Sequence, residues 1–344
     1  MITNGSRVEQ PAMNETSAPV LAVEDLTVEV PVDRIWRPVV EQVSFSVRKG
    51  ETLGLVGESG SGKTMTSLAV MGLLSRNSAR IAHGSIRLTG QELVGAGRRQ
   101  LDQLRGDRIA MIFQEPMTSL NPSMKIGEQI VEAVRRHRPV SRAEARRRAV
   151  EVLDLVGVPS AASRVNSYPH EFSGGMRQRA MIAMSLACDP DVLIADEPTT
   201  ALDVTIQAQI LDLLRQMRDE LGLALLFITH SMGVVADICD RVAVMYHGQV
   251  VEQADADDLF ERPRHPYTEG LLRAMPTLVV REGRLPLIPG RPPQATMRPT
   301  GCAFSPRCPY RIAACTEVPP ALFSTGDTGV TRCIRPGLPL QGAT

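Results

Sequence analysis

The stretch Gly57-Glu58-Ser59-Gly60-Ser61-Gly62-Lys63-Thr64 decides the fold through what stands on either side of it. It fits the spacing G-x-x-x-x-G-K-[ST]. The run before it, Leu53-Gly54-Leu55-Val56, is short and apolar and suits a buried parallel strand, while Thr66 to Leu74 is compatible with a helix. Strand, glycine-rich turn and helix in that order make a phosphate site. The glycines let backbone N–H groups curl around an anion, and the helix N-terminus adds its positive end. Gly57 to Thr64, with Thr66 just inside the helix, are therefore the candidate nucleotide-binding set. Lys63 reaches the β and γ phosphates, and the Thr64 hydroxyl ligates Mg²⁺. Lysine is scarce here, occurring only at Lys49, Lys63 and Lys125 among 38 basic residues, so Lys63 is hard to treat as background.

Working outward, the chain repeats the alternation. Val23, Leu26, Val28 and Val30, then Val43, Phe45 and Val47, read as half-buried antiparallel strands. Val192-Leu193-Ile194-Ala195 and Leu225-Leu226-Phe227-Ile228-Thr229 are further buried strands, and Val242 to Val251 with a turn at His247-Gly248 reads as a hairpin. Residues 126–157 read as helical, with a capping box at Ser141 and Glu144 and a stop at Gly157. Asp203 caps the next helix, which Gly222 follows. Strands alternating with helices predict a mostly parallel α/β core with an antiparallel β subdomain and a helical subdomain over about 115–185. Residues 1–20 are polar and predict a disordered tail. The cassette itself is placed at 21–258. Fourteen of the 25 prolines fall from Pro263 onward, which predicts a separate, irregular C-terminal unit over 259–344.

Composition bounds the function. The 344 residues are 43% hydrophobic and 22% charged, with a formal net charge of +0. No global field draws the chain to nucleic acid or anionic lipid. No run approaches the roughly 18 apolar residues of a membrane-spanning helix, and the first twenty residues lack a signal pattern. The chain is expected to be neither secreted nor membrane-spanning, with any membrane attachment supplied by partners. The arginine-rich stretch from Arg135 to Arg148 reads as a solvated helix face or a basic membrane-facing patch.

The second chemical motif is the strand 192–195 ending in Asp196 and Glu197. Open α/β sheets place ligands at strand C-termini, so Asp196 stands beside Mg²⁺ and Glu197 polarises the attacking water. The third is Phe172-Ser173-Gly174-Gly175-Met176-Arg177-Gln178 at a helix start. By itself it is an N-cap with spare anion-binding donors.

The order phosphate loop, Gln114, Ser173-Gly174-Gly175, Asp196-Glu197, Ala201-Leu202-Asp203 and His230 resembles the nucleotide-binding subunit of ABC transporters over residues 21–255. The resemblance implies a head-to-tail pair of cassettes with two ATPs between them. It further implies that Gln114 senses Mg²⁺ and couples to membrane subunits, that His230 contacts the γ-phosphate, and that Asp203 lies at the cassette interface. Ser173, Gly174 and Gly175 would close on the partner's ATP. Met176 and Phe172 depart from the general signature and resemble the oligopeptide/dipeptide importer branch, as do Gln114-Glu115-Pro116-Met117-Thr118-Ser119-Leu120-Asn121-Pro122, His265-Pro266-Tyr267 and Cys302-Ala303-Phe304-Ser305-Pro306-Arg307-Cys308-Pro309-Tyr310. The Gln-Glu-Pro-Met form is similar to the D-type ATPase subunit, which the resemblance places on the cytoplasmic face of the membrane, pairing with an F-type ATPase and two permeases that serve an extracytoplasmic solute-binding protein. Family cassettes stack adenine on an aromatic residue upstream of the loop. Trp36, the only tryptophan, is the candidate, with packing in the β subdomain as the other reading. A soluble ABC ATPase acting on DNA or ribosomes, a metal-binding regulator, and an importer of nickel or glutathione are the alternatives.

Cys302, Cys308, Cys315 and Cys333 cluster near the C-terminus. In a reducing compartment such a cluster reads as metal binding before disulfides. Four thiolates suit a 4Fe–4S cluster, and Pro309 directly follows Cys308 as in some ferredoxin runs. Zinc also takes four thiolates, although every gap here is wider than a zinc knuckle. The resemblance to the peptide-importer branch favours the iron–sulfur cluster.

Overall fold

The computed structural model describes residues 18–75, 77–114, 119–200, 203–275, 288–294, 299–326 and 329–335. Glu115 to Thr118, Ala201, Leu202 and residues 1–17, each given a meaning above, lie outside them.

The first two strands, β1 (Leu21–Val32) and β2 (Ile35–Val47), pair as an antiparallel hairpin. Next come β3 (Thr52–Val56) and α1 (Lys63–Val70). The helix starts at the lysine and stops at Val70, shorter than the pattern predicts, because Gly72 takes a left-handed φ of 62° two residues on. After it come β4 (Arg80–Leu88), β5 (Gln91–Glu92), α2 (Arg98–Leu104) and β6 (Ile109–Ile112). The helical part contains α3 (Ile126–His137), α4 (Arg142–Leu155), α5 (Ala161–Arg164) and α6 (Gly174–Leu186). The predicted helix over 126–157 is thus two helices, interrupted at Pro139, which lacks the N–H a continuous helix needs. Ser141 and Glu144 form the predicted capping box at the start of α4. The last stretch holds β7 (Val192–Asp196), α7 (Val204–Leu221), β8 (Ala224–Thr229), α8 (Met232–Ile238), β9 (Arg241–Tyr246), β10 (Gln249–Asp255), α9 (Ala256–Glu261), α10 (Pro266–Arg273), β11 (Phe323–Ser324) and β12 (Val330–Thr331).

Two sheets result. One is antiparallel, in the order β2-β1-β4-β5, and the other runs β11-β12-β10-β9-β3-β8-β7-β6. In the larger sheet β9, β3, β8, β7 and β6 are mutually parallel. Their residues alternate between two apolar layers, as a sheet covered on both faces requires. Val56, Leu193, Ala195, Leu225 and Phe227 face the helical side, while Leu53, Leu55, Val192, Ile194, Leu226 and Ile228 face the antiparallel sheet. The hairpin turn between β9 and β10 sits at His247 and Gly248, with φ of 50° and 78°, the left-handed pair that a two-residue turn demands.

The proline-rich end does not stand clear of the cassette. Strand β12 pairs with β10, β11 pairs with β12, and Phe304, 2% exposed, joins the main core. A few well-placed groups provide the anchorage that apolar count understates. Glu252 on β10 accepts from the Arg264 and His265 N–H groups at 2.6 and 2.9 Å. The arginine-rich helices are largely paired within the chain: Arg142 reaches Glu128 at 2.6 Å and Arg148 reaches Asp189 at 2.5 Å.

His265 caps α10 by accepting from Tyr267 N–H at 3.1 Å, and burial pushes its pKa down to about 3. A base held neutral in the fold contributes stability above its unfolded pKa and loses it as pH falls towards the folded one. Asparagine caps as well but gains no proton. The stability advantage of wild type over His265→Asn in urea unfolding should therefore shrink by about 1.4 kcal/mol per unit between roughly pH 6 and 4. Glu252, common to both chains, cancels in that difference. A difference independent of pH would contradict the buried neutral imidazole.

Candidate functional site

The site stands at the C-terminal ends of β3, β7 and β8, neighbours at the centre of the parallel sheet. The loop 57–62 leaves β3 through glycines in left-handed conformations: Gly57 at φ 154°, Gly60 at 79° and Gly62 at 104°. Gly57 has a further constraint, since a Cβ there would lie 2.2 Å from the Met245 carbonyl oxygen of β9. The loop passes too close to its neighbouring strand for any other residue.

Lys63 is the first residue of α1 and is 6% exposed. Its Nζ donates to Gly57 O at 2.6 Å, Glu58 O at 3.0 Å and Ser61 Oγ at 3.4 Å. The ammonium thus lies across the loop it follows. Burial lowers its pKa, and the carboxylates of Glu197, Asp196 and Glu58 pull it back up.

Asp196 ends β7 and is 3% exposed. Burial, and after it the neighbouring Glu197 charge, raise its pKa, while the nearby Thr64 and Ser67 hydroxyls and the Lys63 charge oppose that rise without cancelling it. Its Oδ1 has no hydrogen-bond partner among the described residues. A buried carboxylate oxygen left open beside the exposed Thr64 hydroxyl is the donor set of a hard, oxygen-seeking cation, and it fits Mg²⁺.

The chain turns sharply after Asp196. Glu197 takes φ 48°, uncommon for a residue with a side chain, and its N–H donates to Ile228 O of β8 at 2.9 Å. Its carboxylate collects three donors: His230 Nδ1 at 3.0 Å, Thr200 Oγ1 at 2.8 Å and Gln114 Nε2 at 3.3 Å. Burial works against the charge, but the His230 and Thr200 hydrogen bonds outweigh it and hold the carboxyl below the usual carboxylate range. Gln114, Glu197 and His230, from three separate strand ends, are therefore one cluster facing Lys63 and Asp196.

The remaining candidates lie elsewhere. Ser173 caps α6 by accepting from Met176 N–H at 3.3 Å, and Ser173 and Gly174 are exposed. Gly175 packs close to Ile206 of α7. Asp203 caps α7 by accepting from Ile206 N–H at 2.8 Å. Buried Gln178 donates to Pro198 O at 2.6 Å, tying the Ser-Gly-Gly helix to the turn beyond Glu197. One face of the Trp36 indole carries the Arg80 guanidinium 4.4 Å from its centre. Thr66 is fully buried and donates to Gly62 O at 3.0 Å, so it braces the loop from below. The Glu58 N–H is engaged by Tyr267 Oη at 2.8 Å.

Sequence reasoning missed Thr200 and Ser67. Each stands three residues beyond a partner already named, Glu197 and Thr64, at the separation where a hydroxyl reaches back.

All four C-terminal cysteines line one small cavity with His265, Phe304 and Tyr310. All are free. Burial pushes the Cys302, Cys308 and Cys333 thiols up, Cys308 to about 11, and neighbouring cysteines of the set add to each rise. Among the described residues, however, no group of three or more His, Cys, Asp or Glu is drawn together as a metal-holding set. The expected 4Fe–4S cluster is thus not supported by the geometry. The thiols share a cavity without converging on one point.

Residues 40–200 match the ABC transporter family, and residues 251–315 match the oligopeptide/dipeptide transporter C-terminal region. The oligopeptide transport ATP-binding protein OppD of Salmonella typhimurium is 49% identical over 318 residues, 92% of this chain and 94% of that one. A Brucella abortus chain, named provisionally as a peptide import ATP-binding protein, is 48% identical over 325 residues, 94% and 97% of the two. Among solved structures, the dimeric post-hydrolysis state of the ATP-binding cassette MJ0796 with ADP and Pi superimposes with a TM-score of 0.61 at 25% identity, covering 69% of this chain and 98% of that one. CbiO1 of Clostridium perfringens, part of the complex CbiONQ, gives 0.61 over 71% and 92%. With the phosphate loop, Asp196, Glu197 and His230 gathered at the strand ends, the chain belongs to the ATP-hydrolysing ATP-binding subunits of the ABC transporter family.

Proposed function

We propose that this chain is the D-type ATPase of an importer for dipeptides or oligopeptides. The observation that carries the reading is the convergence of Lys63, Asp196, Glu197 and His230 on one point of the sheet, in a chain whose C-terminal region matches that of the peptide transporters.

In this reading, the loop 57–64 wraps the β and γ phosphates of ATP, and Lys63 exchanges its two carbonyl contacts for phosphate oxygens. Thr64 and Asp196, with Gln114, would hold Mg²⁺, which neutralises charge on the phosphates. Glu197 orients the attacking water and receives its proton. Its depressed pKa keeps it ionised for that role, and its hydrogen bonds with His230 and Thr200 fix which way it points. His230 would pass from Glu197 to the γ-phosphate. Trp36 is the aromatic surface for adenine, beside the Arg80 cation.

Ser173 and Gly174 are exposed at the N-terminus of a 13-residue helix. Their free N–H groups suit the γ-phosphate of a second cassette's ATP. Asp203 is assigned to the same interface. The partners are a second ATPase subunit, two membrane permeases and an extracytoplasmic solute-binding protein, with no nucleic acid. No helix among the described residues is long and apolar enough to cross a membrane. The proposed location is peripheral, on the cytoplasmic face, held by the permeases.

The four-cysteine cavity is proposed as a structural metal centre, 4Fe–4S with zinc as the rival. The supporting observation is that all four thiols line one cavity, where burial and then neighbouring cysteines push the Cys302, Cys308 and Cys333 thiols up, a shift that a bound cation reverses. Anaerobic purification followed by iron, sulfide and zinc analysis should find four irons and four sulfides per chain, in keeping with that cluster type. Stoichiometric zinc without iron, or no metal, would refute the iron–sulfur assignment.

Two kinetic outcomes test the ATPase reading. In the assembled complex, Glu197→Gln should lower ATP turnover by about 10²–10⁴-fold while ATP still binds. Unchanged steady-state hydrolysis would remove Glu197 from its role. Because each site is completed by another cassette, specific activity of the chain alone should be low and rise with its concentration, and rise further with the paired ATPase. Full activity of the chain alone at any dilution would exclude the composite site.

A further inference from the structure

Glu58, the first residue after Gly57 in the phosphate loop, is gripped from the far end of the chain. Its carboxylate meets the Arg307 guanidinium through two parallel hydrogen bonds, Nη1 to Oε2 at 2.6 Å and Nη2 to Oε1 at 3.0 Å. Its N–H donates to the Tyr267 hydroxyl at 2.8 Å, and its carbonyl accepts from Lys63 at 3.0 Å. One loop residue is thus fixed through side chain, N–H and C=O, and two of those anchors lie more than 200 positions away in sequence.

The anchors are themselves buried and packed. The Arg307 side chain is 4% exposed, against 27% for Glu58, and its Nε donates to Pro289 O at 3.0 Å. The guanidinium lies 5.8 Å from the Tyr246 ring and 5.9 Å from the Phe304 ring. Tyr246, Tyr267 and Phe304 pack on one another with centroids 4.6 to 5.4 Å apart. Tyr246 ends β9, immediately after Met245, whose carbonyl bounds Gly57. A two-toothed arginine–carboxylate contact fixes orientation as well as distance, and a lysine cannot reproduce it. Within the sequence Arg307 directly precedes Cys308, and Phe304 lines the thiol cavity.

We propose that Arg307 is a positioning residue for the phosphate loop. Through Glu58 it holds the loop, and with it Lys63, in the shape that receives nucleotide, so the C-terminal region sets nucleotide affinity without touching nucleotide. This rests on the reading of 57–64 as the nucleotide site. It makes no use of a metal in the thiol cavity.

The test is equilibrium binding of ADP to the full-length chain, together with ATP turnover in the assembled transporter. Arg307→Ala and Glu58→Gln should each raise the ADP Kd and the ATP KM roughly tenfold, with kcat changed less than about twofold. The double variant should be no worse than either single one, because both remove the same contact. Arg307→Lys should recover only part of the loss. Glu58→Gln keeps its backbone contacts and changes a part-exposed group, so it reports on the grip even if Arg307→Ala misfolds. Wild-type Kd in Glu58→Gln, additive losses in the double variant, or a fall in kcat at constant KM would overturn the proposal. Lys63→Ala separates the two claims. If it binds ADP as wild type does, the nucleotide-site reading fails. If it loses ADP while Glu58→Gln does not, only the positioning role fails.

Discussion

A buried lysine at the start of a helix is the constraint on which the rest of the structure depends. An ammonium nearly out of water needs acceptors on every side. Lys63 takes two carbonyl oxygens from the loop and one hydroxyl, and three carboxylates surround it at longer range. That demand explains why the loop is glycine-rich, since carbonyls converge on one point only if the backbone adopts left-handed turns. It also explains why the carboxylates stand on the ends of neighbouring parallel strands. Only there do several chain segments end at the same height, with backbone turning away and side chains free to converge. Burial wins at Asp196, whose pKa is raised despite Lys63 and the nearby hydroxyls, and among the described residues its Oδ1 has no hydrogen-bond partner, which suits a cation.

The Glu197 half of the site rests on a strained turn. Glu197 adopts a left-handed backbone that a side chain disfavours, held there by its N–H contact with β8. The turn carries the carboxylate to His230, Thr200 and Gln114. The Glu197 carboxylate thus reaches its donors from a local conformation anchored to β8.

Much of this was legible in the chain itself. The buried strands 53–56, 192–195 and 225–229 are continuous apolar runs because both sheet faces are covered, and that doubling of burial is visible in sequence. The phosphate loop, the capping box at Ser141 and the turn at His247-Gly248 are equally local patterns and could be read without the fold. Contacts distant in sequence could not. Nothing near Glu58 points to Arg307, and the residues around Arg307 read as a cysteine-cluster segment or a branch marker. Proline content suggested a separate C-terminal unit, but composition reports on helices that cannot form and not on strands that join an existing sheet edge. The cysteines show the converse limit. Sequence gives their number and the structure gives their common cavity, yet a shared wall is a weaker statement than a shared ligand.

In the proposed mechanism, Asp196 keeps a buried oxygen for a cation bound with nucleotide. Calorimetric titration of the full chain with ATP, with and without Mg²⁺, addresses it directly in wild type and Asp196→Asn. Wild type should bind ATP more tightly when Mg²⁺ is present, and Asp196→Asn should lose that increment while keeping the Mg²⁺-free affinity. An undiminished increment in Asp196→Asn would contradict the account.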